Sequence, residues 1–442
     1  MSAELISILV LVAVFVIATT RSINMGALAF AAAFGVGELV AGLDADGIFA
    51  GFPGDLFVVL VGVTYLFAIA RANGTTDWLV HAAIRLVRGR IALIPWVMFA
   101  VTGALTAIGA VSPAAVAIVA PIALSFAARY GISPLLMGAM VVHGAQGGGF
   151  SPISIYGSIV NGIVEREKLP GSELTLFLVS LAANLVIAGI VFVLLGGLKL
   201  TGAPSGGQSG GQSGGAARPG KKPGRKPGET DQAADRAADP ERARLTPART
   251  ATLAALVALV VAVLGFDLDA GFSAITLAVL LSACWPETSR RAVGAIAWPT
   301  VLLICGVLTY VGVLEEMGTI DYAGNAVGDI GIPLLAAVLL CYIGAVISAF
   351  ASSVGIMGAL IPLAVPFLAQ GEIGAVGMVT ALAVSATVVD VSPFSTNGAL
   401  VLAAAPDVDR ERFFRQLMVY GGIVVAVVPA AVWLVLVVPG SV

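Results

Sequence analysis

The stretch Gln146-Gly-Gly-Gly-Phe-Ser-Pro-Ile-Ser-Ile-Tyr-Gly157 decides the fold, because its second part occurs twice in the chain. The segment Ser151–Gly157 recurs 241 residues later as Ser392-Pro-Phe-Ser-Thr-Asn-Gly398. The same shift places Ser112 on Ser353. Further upstream, Thr64-Tyr65 recurs as Thr309-Tyr310. A register kept over so many positions predicts two repeats, residues 1–200 and 249–442.

The composition places both repeats in a membrane. Of the 442 residues, 59% are hydrophobic and 11% are charged, and the mean hydropathy is +1.02. A soluble domain carries about 25% charged residues and keeps a polar surface. The apolar runs are long enough to cross a bilayer core of about 30 Å. The sequence therefore predicts an all-α polytopic membrane protein whose surroundings are the lipid bilayer.

The segment 201–248 separates the repeats and has a different composition. It begins with a Gly/Ser/Gln tract, continues with the basic stretch Lys221–Lys226 and ends in an Ala/Asp/Arg stretch. Such sequences have too few apolar residues for a packed core. We expect a disordered cytoplasmic linker.

Charge distribution predicts how the repeats are oriented. If residues 93–128 and 332–369 are re-entrant hairpins, each repeat has five transmembrane helices plus one hairpin, and the second repeat is inverted. With both termini outside, 21 of the 23 basic residues are cytoplasmic, and Arg166 and Lys168 lie outside. This asymmetry follows the positive-inside rule. We therefore predict ten membrane spans, two hairpins and an inverted repeat in a bacterial plasma membrane.

Interrupted helices predict where a substrate binds. Each repeat has a hairpin tip and a long apolar span broken by Gly, Pro and Ser, and unwound backbone persists in lipid only where protein or water satisfies it. Broken helices at matching places mark transporter sites, and helix N-termini attract anions. The candidate substrate-binding residues are Ser112, Ser151, Ser154, Ser353, Ser392, Ser395, Thr396 and Asn397.

A second group of residues is a candidate for a coupling cation. Asp390 is a carboxylate inside an apolar span, which is costly and indicates function. It could ligate a cation, carry a proton or cap the backbone at the break. His143 is a second candidate for proton transfer, or a packing residue. The complete candidate coupling set is His143, Gly149, Ser352 and Asp390.

Several function classes are disfavoured by the same residues. The net charge of −3 provides no basic field for nucleic acid. Cys284, Cys305 and Cys341 lack metal-ligand spacing, and we interpret them as small core residues. A hydrolase needs a Ser/His or paired-Asp constellation that is not evident, and a channel needs a filter. We expect a non-enzymatic protein without a cofactor, apart from sodium as a possible co-substrate.

At this point the chain resembles a known family. The order of spans, hairpin and broken span, duplicated with inversion, resembles the ion-transporter superfamily that includes the divalent anion/sodium symporters. The wording of Ala145–Gly157 and Asp390–Gly398 is more similar to the bacterial malonate/dicarboxylate carriers, which are MatC-like. This resemblance implies secondary active transport of small dicarboxylates such as malonate, succinate or malate. It also implies an elevator-type movement and a homodimer.

One departure from the superfamily concerns the coupling ion. The symporters have Ser-Asn-Thr at both hairpin tips, whereas this chain has Val111-Ser112-Pro113 and Ser352-Ser353-Val354. Coupling to sodium or to protons thus stays open. Alternatives within transport are an oxyanion or arsenite exporter of the same superfamily, and a membrane subunit of a multi-component dicarboxylate carrier.

Overall fold

The computed structural model describes residues 2–21, 23–86, 90–202, 245–320, 322, 333–349, 353–369, 373–405 and 408–440. These residues form helices, turns and loops, with no β-strand among them. The predicted all-helical fold class is confirmed. Most of the predicted linker, residues 203–244, lies outside the described residues, so the domain boundaries stay predictions.

The described residues before the linker form ten α-helices. They are α1 (Ala3–Arg21), α2 (Met25–Leu39), α3 (Ala45–Ala50), α4 (Gly54–Ala72), α5 (Thr75–Leu86), α6 (Ile94–Ala107), α7 (Ser112–Tyr130), α8 (Pro134–Gly148), α9 (Ile155–Arg166) and α10 (Glu173–Leu194). The short helix α3 was not expected from hydropathy. It forms because the Asp44 side chain accepts a hydrogen bond from the Gly47 N–H at the helix N-terminus.

The described residues after the linker form nine further α-helices. They are α11 (Pro247–Phe266), α12 (Ala270–Cys284), α13 (Pro286–Gly294), α14 (Trp298–Glu316), α15 (Pro333–Ser348), α16 (Ser353–Ala369), α17 (Ala375–Val388), α18 (Thr396–Ala404) and α19 (Arg410–Val432). The polar helix α13 was also not expected, and it begins with Pro286, whose fixed φ suits a first helical turn.

Seven helical segments of the described residues are long and apolar enough to cross a membrane. They are Gly54–Ala72, Ser112–Tyr130, Glu173–Leu194, Pro247–Phe266, Trp298–Glu316, Ala375–Ala404 and Arg410–Gly440. Shorter apolar helices include α2 and α12. The membrane-like character of the fold is thereby supported, while the number of crossings and the re-entrant nature of the hairpins stay predictions.

The predicted hairpin tip lies between α6 and α7, which pack against each other. The chain reverses at Ile108–Val111, where Gly109 has φ +110°. A Cβ at Gly109 would overlap the Val63 side chain of α4. The turn therefore requires glycine for both its backbone conformation and its close packing. In the second repeat, α15 and α16 pack in the same way.

Both predicted broken spans leave helical geometry where the sequence indicates. In the first, α8 ends at Gly148 and α9 starts at Ile155. In the second, a short 3₁₀ turn, Val389–Val391, follows α17 before α18 begins. Each break therefore inserts about six non-α residues between two short helices, at a place surrounded by protein.

Helix pairs between the two halves occur reciprocally. Helix α2 packs on α14, which takes the place of α4 in the second half. In return, α4 packs on α12, which takes the place of α2. The same exchange holds for α7 with α18 and α9 with α16, and for α10 with α17 and α8 with α19. Each half therefore completes the packing of the other.

Glycines permit the closest of these crossings. A Cβ at Gly26 would overlap the carbonyl oxygen of Leu302, and one at Gly306 would overlap that of Gly26. At the reciprocal crossing, Gly62 lies against the backbone of Gly271. Backbones in such direct contact gain dispersion energy, which is the main attraction between helices in lipid.

The interpretation of all three cysteines as core residues is wrong for one of them. Cys305 and Cys341 are buried, but Cys284 is exposed at the end of α12. The surface of a membrane protein is itself apolar, so hydropathy alone does not separate a lipid-facing side chain from a core side chain.

Candidate functional site

The two broken spans are held open by the same serine hydrogen bonds. The Ser154 hydroxyl caps α9 by accepting from the Gly157 N–H, and it contacts the carbonyl oxygens of Gly149 and Ser151. In the same way, the Ser395 hydroxyl caps α18 by accepting from the Gly398 N–H, and it contacts the carbonyl oxygens of Asp390 and Ser392. Ser154 and Ser395 were expected to bind substrate, and their hydroxyl protons are directed to backbone carbonyls instead.

Asp390 lies at the centre of a buried polar cluster. Its side chain is 4% exposed and accepts hydrogen bonds at Oδ2 from Gln146 Nε2 (2.8 Å) and Asn397 Nδ2 (3.2 Å). The side chain of Ser353 also hydrogen-bonds Asp390. Gln146 belongs to the first broken span and Asn397 to the second, so the carboxylate joins the two breaks.

Ser112 connects the first hairpin tip to this cluster. Its Oγ accepts a hydrogen bond of 2.8 Å from Asn397 Nδ2. The Tyr156 hydroxyl lies beside both Ser112 and Gln146. On the second hairpin, Ser348 donates to Ser353 Oγ over 3.0 Å. Both hairpin serines predicted from the sequence are therefore in the cluster, one from each half.

Two oxygen atoms of the cluster are buried without a hydrogen-bond partner. They are Gln146 Oε1 and Asn397 Oδ1, and each belongs to an amide whose nitrogen is bound to Asp390. An unpaired buried acceptor costs about 1–3 kcal/mol. The amide N–H groups of the cluster are already used, so two free oxygens remain beside a carboxylate, and free oxygens suit a cation better than an anion.

The remaining predicted residues are placed less centrally. Ser151 donates to the Ala107 carbonyl oxygen at the end of α6, and Ser392 accepts from the Phe394 N–H, so both stabilise turns. Thr396 is exposed. Gly149 is buried and its carbonyl oxygen accepts from Gly157 N–H and Ser154. Ser352 lies outside the described residues.

His143 lies apart from Asp390, in its own buried network. Its Nδ1 is 3.0 Å from Asn184 Oδ1, and its Nε2 contacts the Tyr420 hydroxyl. Since Asn184 Nδ2 donates to the Ser180 carbonyl oxygen, Asn184 Oδ1 faces the ring as an acceptor. His143 Nδ1 therefore carries the proton, and Nε2 accepts from Tyr420. Both ring nitrogens are satisfied in the neutral imidazole.

Sequence reasoning missed Gln146 and Tyr156 as site residues. Gln146 lies one helical turn after His143 in an otherwise apolar helix, and this isolated amide is a signal that could have identified it. Tyr156 gave no such signal, because tyrosine is common in apolar segments. Within the described ranges, no group of three His, Cys, Asp or Glu could hold a metal ion.

Comparison with known protein families gives a match for the first part of the chain. Residues 1–149 match the family model described as the dicarboxylate carrier protein MatC N-terminus. The MatC match ends at Gly149, in the first broken span. A search of the curated proteins gives no match.

The MatC resemblance stated from the sequence is supported by this match, which covers residues 1–149. The match to a carrier model and the set of apolar helices together indicate an integral membrane protein of transporter type. They indicate a transporter rather than an enzyme.

Proposed function

We propose that this protein is a secondary active carrier of small dicarboxylates, coupled to a cation that binds at Asp390. The MatC match supports the substrate class. The observation that carries the coupling is the pair of unpartnered amide oxygens, Gln146 Oε1 and Asn397 Oδ1, around the Asp390 carboxylate. Malonate, succinate and malate are the proposed substrates.

The number of free acceptors favours sodium over a proton. A proton on Asp390 donates one hydrogen bond, so at least one of the two amide oxygens would remain unpaired. A bound sodium ion interacts with several oxygens at once and would satisfy both amides and the carboxylate. Proton coupling at Asp390 is the alternative, and His143 is a weaker candidate because its ring is already satisfied when neutral.

Charge neutralisation gives a physical reason for coupling. An ionised Asp390 repels a dicarboxylate bound nearby. At roughly 6 Å and an effective dielectric constant of about 20, two like charges repel by about 3 kcal/mol. Cation binding removes this repulsion, so the cation and the dicarboxylate each raise the affinity for the other.

The hairpin helix α7 is the proposed anchor for a substrate carboxylate. It begins at Ser112, and no side chain caps its N-terminus. Pro113 has no N–H and the Ala114 N–H donates to the Val111 carbonyl oxygen, so the Ser112 N–H and the helix dipole are the groups that attract negative charge. The N-termini of α9 and α18, by contrast, are capped by Ser154 and Ser395.

We further propose that the halves are inverted repeats and that the carrier works by an elevator movement. The reciprocal packing of α2 with α14 and α4 with α12 supports a two-fold relation between the halves. These helices would form the fixed scaffold, while the hairpins and broken spans move. A homodimer, a bacterial plasma membrane, outside termini and a cytoplasmic linker complete the proposal.

Uptake into proteoliposomes tests the proposed function. Radiolabelled malonate and succinate are supplied under a sodium gradient or a proton gradient, imposed separately. We expect sodium-driven uptake in the wild type and its loss in Asp390→Asn. Asp46→Asn, which removes an exposed carboxylate in α3, is the matched control. Proton-driven uptake alone would contradict sodium coupling. No uptake under either gradient would contradict the proposal that this protein imports dicarboxylates without a partner subunit.

A further inference from the structure

A cavity of about 290 Å³ opens beside the tip of the first hairpin. One wall is α4, a second is the start of α14, and the floor is the turn between α6 and α7. The wall is mostly apolar, and Arg71, in the last turn of α4, is the charged residue among the described residues that line it.

The floor of this cavity reaches the candidate site. Val111 and Pro113 line it, and they flank Ser112, whose Oγ is bonded to Asn397. Ala114, in the uncapped first turn of α7, lines it as well. A solute in the cavity is therefore next to the hairpin tip, with the positive end of α7 in front of it and Arg71 at its side.

The corresponding place in the other half holds a different cavity. It has a volume of about 210 Å³ and is lined by Ala50, Gly312 and Glu316, which match Ala295, Phe67 and Arg71 of the first cavity at a shift of 245 residues. Here Glu316 stands in the place of Arg71, and Arg166, Glu167 and Glu315 also line the cavity. The end of α9 lines this cavity, where a hairpin tip lines the first.

We propose that the cavity beside the first hairpin is the vestibule through which the dicarboxylate passes between its site and the cytoplasmic side, and that Arg71 selects anions there. This inference rests on the proposed function, because it assumes an anionic substrate. A guanidinium remains charged at all physiological pH values, and a single charge in a low-dielectric mouth concentrates counter-ions and rejects ions of its own sign. The Glu316 cavity is lined by three carboxyl groups and one guanidinium, so it should attract anions less than the Arg71 cavity does.

Transport kinetics test the role of Arg71. Arg71→Gln, Arg71→Lys and the control Arg129→Gln are compared in vesicles of both orientations over a series of salt concentrations. Arg129 lies at the far end of α7, outside the cavity. We expect Arg71→Gln to raise the KM for malonate about three- to tenfold from the Arg71 side only, with kcat unchanged and a weaker dependence on salt.

Arg71→Lys should restore most of this effect, since it retains the charge. A basic residue in the last turn also stabilises the helix dipole of α4, but such a role would not produce a sided KM change that depends on salt. An unchanged KM for Arg71→Gln, or an equal effect of Arg129→Gln, would overturn the proposal.

A second measurement does not require transport and so separates this proposal from the proposed function. Thr300, which lines the same cavity, is changed to Cys in a chain whose exposed Cys284 is Ser. The labelling rates of small anionic and cationic thiol reagents are then compared. We expect Arg71→Gln to lower the anionic-to-cationic rate ratio about three- to tenfold. An unchanged ratio would overturn the proposal whether or not the wild type transports dicarboxylates.

Discussion

Asn397 and Ser112 lie 285 residues apart in the chain, and Asn397 Nδ2 donates a hydrogen bond of 2.8 Å to Ser112 Oγ. Both side chains are buried, and the same Nδ2 also contacts Asp390 Oδ2. A broken span of one half is thereby joined to a hairpin tip of the other. Any movement of the first hairpin tip relative to Asp390 must break this bond.

The first prediction concerns this link between the halves. We expect Ser112→Ala and Asn397→Ala each to lower the initial rate of malonate uptake, and the double variant to lose little more than either single one. Residues that share one network give non-additive losses. Ser125→Ala, on the same helix α7, is the control and should transport normally. Fully additive losses would show that the two side chains act separately.

The sequence was sufficient to predict the breaks but not the cluster around them. Gly, Pro and Ser interrupt a helix at the positions where they occur in the sequence. The breaks at Gly149 and Val389–Val391 could therefore be anticipated. The partnership of Gln146 with Asp390 depends on how two distant helices pack, which no local pattern encodes. The role of Thr396, which is exposed, stays a prediction, because hydropathy does not indicate which face of a half-helix points to the interior.

A second prediction tests the helix crossing at Gly26. We expect Gly26→Ala to lower the thermal unfolding temperature, because the new methyl group would overlap the Leu302 carbonyl oxygen, and overpacking costs about 1–3 kcal/mol. The control is Gly35→Ala in the same helix, where a Cβ would meet no atom within 4 Å. Equal unfolding temperatures for the two variants would argue against a close α2–α14 crossing.

A third prediction separates packing from proton transfer at His143. We expect Tyr420→Phe to destabilise the protein by about 1–3 kcal/mol, since it leaves His143 Nε2 without its hydrogen-bond donor. The ratio of sodium-driven to proton-driven uptake should stay the same. Thermal unfolding and both uptake assays check this, with the exposed Tyr130→Phe as the control. A changed ratio would instead support a proton relay through His143.

The fourth prediction concerns the effect of pH on stability at Glu167, in the loop after α9. Burial and the charge of Glu315 raise the pKa of Glu167 to about 7, although Arg166 lowers it. Between pH 4.5 and pH 7 the folded protein keeps this proton and the unfolded chain loses it. The free energy of unfolding should therefore fall as pH rises through this range.

Glu167→Gln should remove this part of the pH dependence and be the more stable form above pH 7. Thermal unfolding in detergent between pH 5 and pH 8 measures the effect, and the exposed neighbour variant Glu165→Gln serves as the control. Parallel pH curves for the wild type and Glu167→Gln would mean that Glu167 titrates like a solvated carboxyl group.

The reciprocal packing of the halves has a consequence for biosynthesis. Helices α2 and α4 enter the membrane long before their partners α14 and α12 have been translated. Until then, the helix faces that carry Gly26 and Gly62 are exposed to lipid, because the helices that cover them have not been made. The newly made first half must persist in the bilayer as an unfinished structure, and α2 and α4 stay without these partners until the ribosome has passed residue 316.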